Sequence, residues 1–426
     1  MIERNWYLNK LIKRAWDGNI KVITGIRRCG KSVLLFDIYK TYLLENGVKE
    51  ENIIEIKLDK MEFITFRNPF MLYKEITKTI NKTPLDKYYL FIDEVQMAIE
   101  KKDRKSGVTA TIYDILNQFK DNKNIDVYVT GSNSKMLSKD ISTEFRGRSS
   151  QIHVFPLSFS EYYNYIGGDI NEALNNYMIL GGMPGIVHEK TVEDKKSYLE
   201  NLFNEIYIKD IVERNRIQRP DILNDILDYL SPQISSLTTN NRIANSISTL
   251  KKEKVTFEMV SKYVSHTIDS FIINMARRYD VKGKSYFEYP NKYYYIDNGL
   301  RNARLNFRQN DPGHLMENIL YNELIRRGYN VDVGAIPLRT HDSSDYVEID
   351  FIVNKLDFKV YIQSAFRMDN DEKIVSEIRP LTITGDSFKK VIIRNDILTS
   401  YYDEQGILHC KFTDFLLDKI NVLDWR

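Results

Sequence analysis

The sequence predicts an α/β fold whose first domain is a parallel sheet carrying a phosphate-binding loop, and three observations predict it. Gly25-Ile26-Arg27-Arg28-Cys29-Gly30-Lys31-Ser32 fits the pattern GxxxxGK[ST] at every fixed position. It stands between Lys21-Val22-Ile23-Thr24, which reads as a short strand, and Val33 to Tyr39, which reads as a helix. Tyr88-Tyr89-Leu90-Phe91-Ile92, an uncharged run suited to a buried parallel strand, ends in Asp93-Glu94.

The loop's chemistry follows from its residues. A polyphosphate needs backbone N–H donors converging on one concavity, and only a loop with glycine at its tight positions folds back that closely. Gly25 and Gly30 supply those positions, so Gly25, Ile26, Arg27, Arg28, Cys29, Gly30, Lys31, Ser32 and Val33 form the candidate nucleotide-binding set. Lys31 would reach the β- and γ-phosphates as a point charge, Ser32 would place its hydroxyl on Mg²⁺, and the next helix would aim its N-terminus at the anion. At the end of its strand, Asp93 would hold the same Mg²⁺ and Glu94 would orient the attacking water. Capping of the following element is the other reading of those two acids. Asp-Glu at this place points to ATP, with ATP and Mg²⁺ as the expected cofactors.

Bulk properties bound the rest. A chain of 426 residues exceeds what one core organises, so several domains are expected. The 61 basic and 59 acidic residues leave a net charge of +2, so no global field announces a nucleic acid or a membrane, and any basic surface must be local. Two cysteines, Cys29 and Cys410, make neither a disulfide framework nor a metal spacing, which favours a reducing, cytoplasmic setting. No stretch is apolar enough to span a membrane, and Met1 to Asn19 has no signal-peptide core.

Taken in order, residues 3 to 17 carry Trp6, Leu8, Leu11, Ile12, Ala15 and Trp16 at helical spacing, an amphipathic helix packed on the nucleotide domain. Its tryptophans read as packing groups before they read as a shelf for adenine. Asn52 to Asp59 is a second strand, and Ile125-Asp126-Val127-Tyr128-Val129 is a fourth, running into Thr130-Gly131-Ser132-Asn133. Polar groups at that strand tip belong beside the γ-phosphate, which makes Thr130, Ser132 and Asn133 candidate sensors, with a plain turn as the alternative. Arg146 and Arg148 follow; Arg148 is the candidate finger on the phosphates, in cis or from a neighbouring subunit, and equally a structural ion-pair group.

At this point the residues resemble a known family. Thr24 to Ser32, Asp93-Glu94-Val95-Gln96, Thr130-Gly131-Ser132, Gly147-Arg148 before Phe155-Pro156-Leu157-Ser158-Phe159, Gly181-Gly182-Met183-Pro184, Tyr295 to Leu300 and Glu348-Ile349-Asp350-Phe351 are similar to the AAA-type ATPases of bacteria and archaea. Those proteins join a nucleotide domain to a winged-helix segment and a carboxy-terminal domain. The resemblance implies a P-loop ATPase core over 1–160, a helical lid over 161–232, a winged helix over 233–304 and a small α/β domain over 305–426.

The residues agree in outline. Residues 161 to 230 lack strand runs and read as helices, broken at Gly181-Gly182 by a turn or a hinge. Asn240 to Leu250 and Thr256 to Ile273 read as two helices, and Ser285 to Ile296 alternates aromatic and polar residues as a hairpin does. Lys251, Lys252, Lys254, Lys262, Arg277, Arg278, Lys282 and Lys284 make this the locally basic region. Double-stranded DNA is the partner such a segment would take, although the second helix presents Glu258, Met259, Tyr263 and His266 and no arginine placed to grip guanine. Non-specific contact, a protein partner or domain packing are the other readings.

The last 120 residues resemble the restriction-endonuclease-like fold, in which a helix acid, a strand acid and an E/Q-x-K strand gather a metal. Glu317, Asp350 and Gln363 match, but the lysine position falls on Ala365. Without that ammonium the scissile phosphate lacks its principal local cation, so the expectation is a degenerate nuclease-like site. Asn354-Lys355-Leu356-Asp357 spells a guanine-reading pattern but reads as a turn between strands. Three functions remain in view: an ATPase coupling nucleotide state to motion of the lid and winged helix, an ATP-gated nuclease of the nucleic-acid defence type, and a nucleotide-switched interaction module without turnover.

Overall fold

The computed structural model describes residues 1–84, 86–98, 101–102, 109–132, 149–338, 346–355 and 358–422. It divides into two compact units, Met1–Phe155 with Asp269–Phe271, and Pro156–Ile268 with Ile272–Arg426.

The first unit is built on five parallel strands, β1 (Ile20–Thr24), β2 (Ile53–Lys57), β3 (Tyr88–Asp93), β4 (Ile125–Gly131) and β5 (Ser149–His153), in the order β2-β3-β4-β1-β5. Every residue of β1, β3 and β4 is buried, which is why these strands read as largely apolar, interrupted in β1 and β4 only by Lys21 and Asp126, which pair with each other, and by the polar residues at their ends. The edge strand β5, Ser-Ser-Gln-Ile-His, has no such run and left no signal in the sequence. β4 lies between β1 and β3, with Ile23 opposite Thr130 and Ile92 opposite Val129. That register sets Thr130 between the loop after β1 and Asp93 at the end of β3.

One face of the sheet is covered by helices Pro69–Ile80 and Ile112–Lys120, whose Leu72, Ile76, Ile115, Leu116 and Phe119 pack on Val22, Leu90, Ile92 and Val127. After the loop the chain is wound as a π-helix over Val33–Tyr39 and as an α-helix over Lys40–Glu45, burying Leu34, Leu35, Phe36 and Tyr39. The amino-terminal helix Asn5–Arg14 buries Tyr7 and Leu11. Trp6 is exposed with the Lys10 ammonium over its ring, while Trp16 packs edge-on against Tyr89 and donates from Nε1 to its hydroxyl at 2.9 Å. Trp16 is therefore a packing group.

In the second unit, residues 161 to 230 fold as a succession of helices, including Phe159–Ile166, Ile170–Leu180, Val192–Asn201 and Pro220–Leu230. Gly182 is explained by close approach: a Cβ there would lie 2.2 Å from the Leu157 carbonyl oxygen, and its own N–H reaches Asp297 Oδ2 at 2.6 Å. Such a fixed contact is a turn held in place. Helices Asn240–Lys251 and Phe257–Asp269 follow; the second ends four residues before Ile273, which opens a strand.

The Ser285 to Ile296 hairpin needs correction. Ser285–Tyr286 pairs with Arg278–Asp280, while Asn291–Tyr295 pairs with Ile273–Ala276 and Leu237–Thr238 in a separate three-stranded sheet. The aromatic alternation is shared by both pieces, and Pro290 between them has no N–H to continue a ladder. Arg278–Asp280 in turn adds, parallel, to Asn330–Pro337 of an eight-stranded sheet that continues through Tyr346–Lys355, Phe358–Ala365, Lys389–Arg394, Leu408–Lys411 and Tyr401–Tyr402. Residues 273 to 295 therefore belong to two sheets at once. Asn354 and Lys355, two residues of the guanine-type pattern, sit in ladder register with Lys359 and Phe358; Leu356 and Asp357 lie outside the described residues.

Candidate functional site

The phosphate loop lies at the carboxyl end of β1. Gly25 has φ +146°, and a Cβ on it would stand 2.2 Å from the Val154 carbonyl oxygen, so only glycine fits there. Arg28 (φ 65°) and Gly30 (φ 95°) also take left-handed backbone, which folds the loop back on itself. The turn is braced from beneath by Arg4, a residue that no sequence motif marks. Its guanidinium is 4% exposed and donates to Cys29 O at 3.2 Å and Phe155 O at 2.8 Å. Cys29 Sγ donates to Val154 O, and burial pushes its thiol up, which suits a packing group. Lys31 is folded over the loop, its Nζ donating to the Gly25 and Ile26 carbonyls at 3.0 Å each.

Three hydroxyls organise the acids. Ser32 Oγ donates to Asp93 Oδ2 at 2.8 Å, and Thr130 Oγ1 donates to Asp93 Oδ1 while accepting the Glu94 N–H at 3.0 Å. Burial raises Asp93 above the usual carboxylate range although both hydroxyls pull the other way. Glu94 takes a left-handed backbone (φ 51°, ψ 51°), which costs a non-glycine residue about 1–2 kcal/mol and turns its side chain away from the strand. Its Oε2 accepts from Gln96 Nε2 and from Ser132 Oγ at 3.3 Å. Lys31, Ser32, Asp93, Glu94, Thr130 and Ser132 are thus brought together at one end of the sheet; Asn133 and Arg148 lie outside the described residues.

Beneath the loop, Thr24 Oγ1 lies 3.1 Å from His153 Nδ1, and the His153 ring packs on Phe155 and Phe271 at 4.5 and 4.6 Å between centroids. Burial, with help from the Lys31 ammonium, pushes His153 down to about 3, so the ring is neutral. Phe271 belongs to the short segment between helix Phe257–Asp269 and strand Ile273–Ala276.

The residues present fit a magnesium nucleotide: a glycine cradle with no room for a Cβ, a lysine at its lip, and a hydroxyl and a carboxylate already paired, the oxygen donors that a hard cation takes. In the second unit, the sequence-matched acids meet a group that sequence reading missed. Lys292, from strand Asn291–Tyr295, places Nζ 2.9 Å from Glu317 Oε1, 2.7 Å from Glu348 Oε1 and 3.5 Å from Asp350 Oδ1. Burial pushes Glu317 up to about 8 despite that ammonium. Gln363 turns aside: Oε1 accepts the Asp350 N–H at 3.0 Å and Nε2 donates to Glu377. Ala365, at the expected lysine position, is buried. Only the alternation of strand 291–295 marked Lys292, and it gave no hint of what the side chain meets.

Residues 17–163 match the family model described as an AAA domain, and residues 171–311 match a domain of unknown function (DUF8612). The first unit is accordingly an ATP-binding AAA domain of the P-loop class. An uncharacterized protein of Haemophilus influenzae is 30% identical over 430 residues, covering 100% of this chain and 98% of its own. The uncharacterized protein MJ1544 of Methanocaldococcus jannaschii is 24% identical, over 88% of this chain and 84% of its own. Among solved structures, the Aeropyrum pernix Orc1 protein in complex with DNA aligns over 72% of this chain and 93% of its own, at 12% identity and TM-score 0.29. AMPPCP-bound DnaA from Aquifex aeolicus aligns over 61% and 85%, at 13% identity and TM-score 0.30. Likenesses that weak carry no inference about this chain. Among the described residues no helix is long and apolar enough to cross a membrane.

Proposed function

This chain belongs to the family of the Haemophilus influenzae protein that it matches along its whole length, and we propose that it is a Mg²⁺-dependent ATPase that couples nucleotide state to movement in its second unit. The observation that carries this reading is the Ser32–Asp93–Thr130 chain of hydrogen bonds beside a loop in which only glycine fits at position 25. The roles we assign are these. The Gly25–Val33 amides would cradle the phosphates, Lys31 would exchange its loop carbonyls for phosphate oxygens, and Ser32 and Asp93 would hold Mg²⁺, which would supply positive charge against that building on the phosphates. Glu94, once clear of Gln96 and Ser132, orients the attacking water. Thr130 reports on Asp93, Ser132 on Glu94; Asn133 and Arg148 keep their proposed places as sensor and finger.

For the coupling, the contact chain Thr24, His153, Phe271 runs from the base of the loop to the segment that follows helix Phe257–Asp269. That helix and Asn240–Lys251, with the three-stranded sheet, are read as a winged helix, and residues 305–426 as an endonuclease-like domain. DNA is the partner tested first, although Lys251 is committed to Asp221 and Asp225, and Arg277 and Arg278 lie over aromatic rings. The deciding experiment measures phosphate release with and without Mg²⁺ and double-stranded DNA, in the native chain and in Glu94→Gln. Expected are Mg²⁺-dependent turnover and its loss by about 10²-fold or more in Glu94→Gln with ATP binding retained. Undiminished hydrolysis in Glu94→Gln removes the role given to Glu94. Tight ATP binding with no phosphate released favours an interaction module, and metal-dependent plasmid cutting abolished in Asp350→Ala favours the nuclease.

A further inference from the structure

Where the chain crosses from the three-stranded sheet to the eight-stranded one, an edge is left open. Strand Arg278–Asp280 pairs with Val333 to Ala335, so Asn330 to Asp332, earlier on the same strand, have only Tyr346–Lys355 as a partner strand among the described residues. A groove of about 660 Å³ lies there, inside the range of about 300–1,000 Å³ usual for small-molecule sites. Its polar side chains are ordered by the ladder. Asn330 stands opposite Asn354 and Asn354 opposite Lys359, a row across three strands, and Asp332, two residues on from Asn330, shares their face. Arg277 joins them from the crossing segment.

These groups are unspent. Elsewhere in this unit arginines are ion-paired, Arg219 with Asp221 and Glu253, Arg304 with Asp228 and Arg394 with Asp396. Among the described residues, by contrast, the side chains of Arg277, Lys359, Asn330 and Asn354 make no hydrogen bond and no ion pair. Asp332 Oδ2 accepts from the Tyr286 hydroxyl at 3.0 Å, which leaves Oδ1 open. Burial holds its carboxyl above the ordinary range although Tyr286 and the Arg277 charge pull it down. Aromatic rings link the cations: Arg277 lies 4.1 Å over the Tyr286 ring, Tyr286 meets Tyr279 edge to face at 5.1 Å, and Lys359 Nζ lies 5.8 Å from the Tyr279 centroid. A guanidinium on a ring keeps its N–H donors in its own plane, free for an anion.

Rings beside unpaired cations suit a planar base that carries a phosphate. The carboxylate narrows the choice. It only accepts hydrogen bonds, so it favours guanine, whose N1–H and N2–H donors are adjacent, over adenine, whose ring nitrogen at that edge would face the anion. The two asparagine amides, each donor and acceptor, match the remaining polar atoms of the base. We propose that this groove is a guanine-nucleotide site, in which Asp332 reads the base and Arg277 and Lys359 hold the phosphate. It lies wholly within the second unit and is independent of the ATPase reading.

The test is calorimetric titration of the full chain with guanosine monophosphate and with adenosine monophosphate, in the native protein and in Lys31→Ala, which disables the phosphate loop. Expected is one equivalent of the guanine nucleotide, with the adenine nucleotide about 10-fold or more weaker, and the same result in both chains. Asp332→Asn is expected to erase the preference, and Arg277→Gln to weaken both nucleotides about 10-fold while keeping it. A single-stranded oligonucleotide with a terminal guanosine phosphate separates the two sources of the ligand: tighter binding than the free nucleotide, lost in Asp332→Asn, supports the site with a strand end as occupant, and weaker binding supports it with the free nucleotide. No binding of guanosine monophosphate, equal affinity for the two bases, or binding lost in Lys31→Ala overturns the proposal. If Asp332→Asn does not fold, Arg277→Gln and Lys359→Gln decide, since affinity unchanged in both removes the phosphate contacts on which the site depends.

Discussion

Ser32 Oγ donates to Asp93 Oδ2 across 2.8 Å, joining residues 61 positions apart, one where the loop after β1 enters its helix and the other at the end of β3, a strand that is not a neighbour of β1 in the sheet. The hydroxyl and the carboxylate are already oriented toward one another by backbone that is fixed on both sides. A metal held between them needs little rearrangement of the protein, which is the condition for tight, geometry-selective binding.

Ser32→Ala and Asp93→Asn each remove one side of that pair while leaving the glycine cradle intact. Titration of a fluorescent ATP analogue should show affinity in Mg²⁺ falling about 10- to 100-fold, with little change in EDTA. Equal affinity of variant and native chains in Mg²⁺ would show that the pair does not hold the metal.

Thr130 is completely buried and serves two acids at once, donating to Asp93 and accepting the Glu94 N–H. Thr130→Val keeps the shape and orphans both partners, at about 1–3 kcal/mol for an unpaired buried group. Expected are a lower Tm and ATP turnover reduced about 10- to 100-fold, the usual effect of losing a group that orients a metal-bound carboxylate. Thr130→Ser restores the hydroxyl and should recover most of the turnover; failure to recover would assign the loss to packing.

Gly25→Ala tests the cradle. The added methyl meets the Val154 carbonyl oxygen at 2.2 Å, and backbone cannot rotate away as a side chain can. Displacing the loop by even about 1 Å is expected to weaken ATP binding by about 10²-fold, while the far-ultraviolet circular dichroism stays native. Binding within a few-fold of the native chain would mean that the loop tolerates the shift and that the nest is looser than drawn.

How much of this was legible in the sequence follows burial and range. Lys31, Ser32, Asp93 and Thr130 were readable because motif spacing sets the first two in the loop that follows a strand, strand patterns set the other two at strand tips, and parallel strands put their tips and the loops after them together. Edge strand Ser149–His153 was not, since an edge needs no apolar run. Arg4 and Lys292 escaped for another reason: each acts on groups distant in sequence, Arg4 on Phe155 and Lys292 on Glu317 and Asp350, and a single cation has no local pattern. The hairpin was misread because alternation reports that a segment is extended and half-buried without saying which strand it joins.

Glu317 links that unforeseen contact to stability. Its carboxyl titrates at about 8 in the folded chain against 4.5 as the ordinary value, with burial as the main cause, then Lys292 opposing it and Asp350 reinforcing it. Between those values the native chain keeps a proton that the unfolded chain has released, so the unfolded state binds fewer protons. The contribution is complete below about pH 4.5 and is lost as pH rises through 8, with a slope of up to about 1.4 kcal/mol per pH unit. Glu317→Gln keeps an oxygen for the Tyr294 hydroxyl and for Lys292 but carries no titrating proton. Scanning calorimetry from pH 6 to 8.5 should therefore show the native Tm falling with pH more steeply than that of Glu317→Gln, with the two curves diverging toward alkaline pH. Parallel curves would mean that the ammonium of Lys292 holds Glu317 ionised across the whole range.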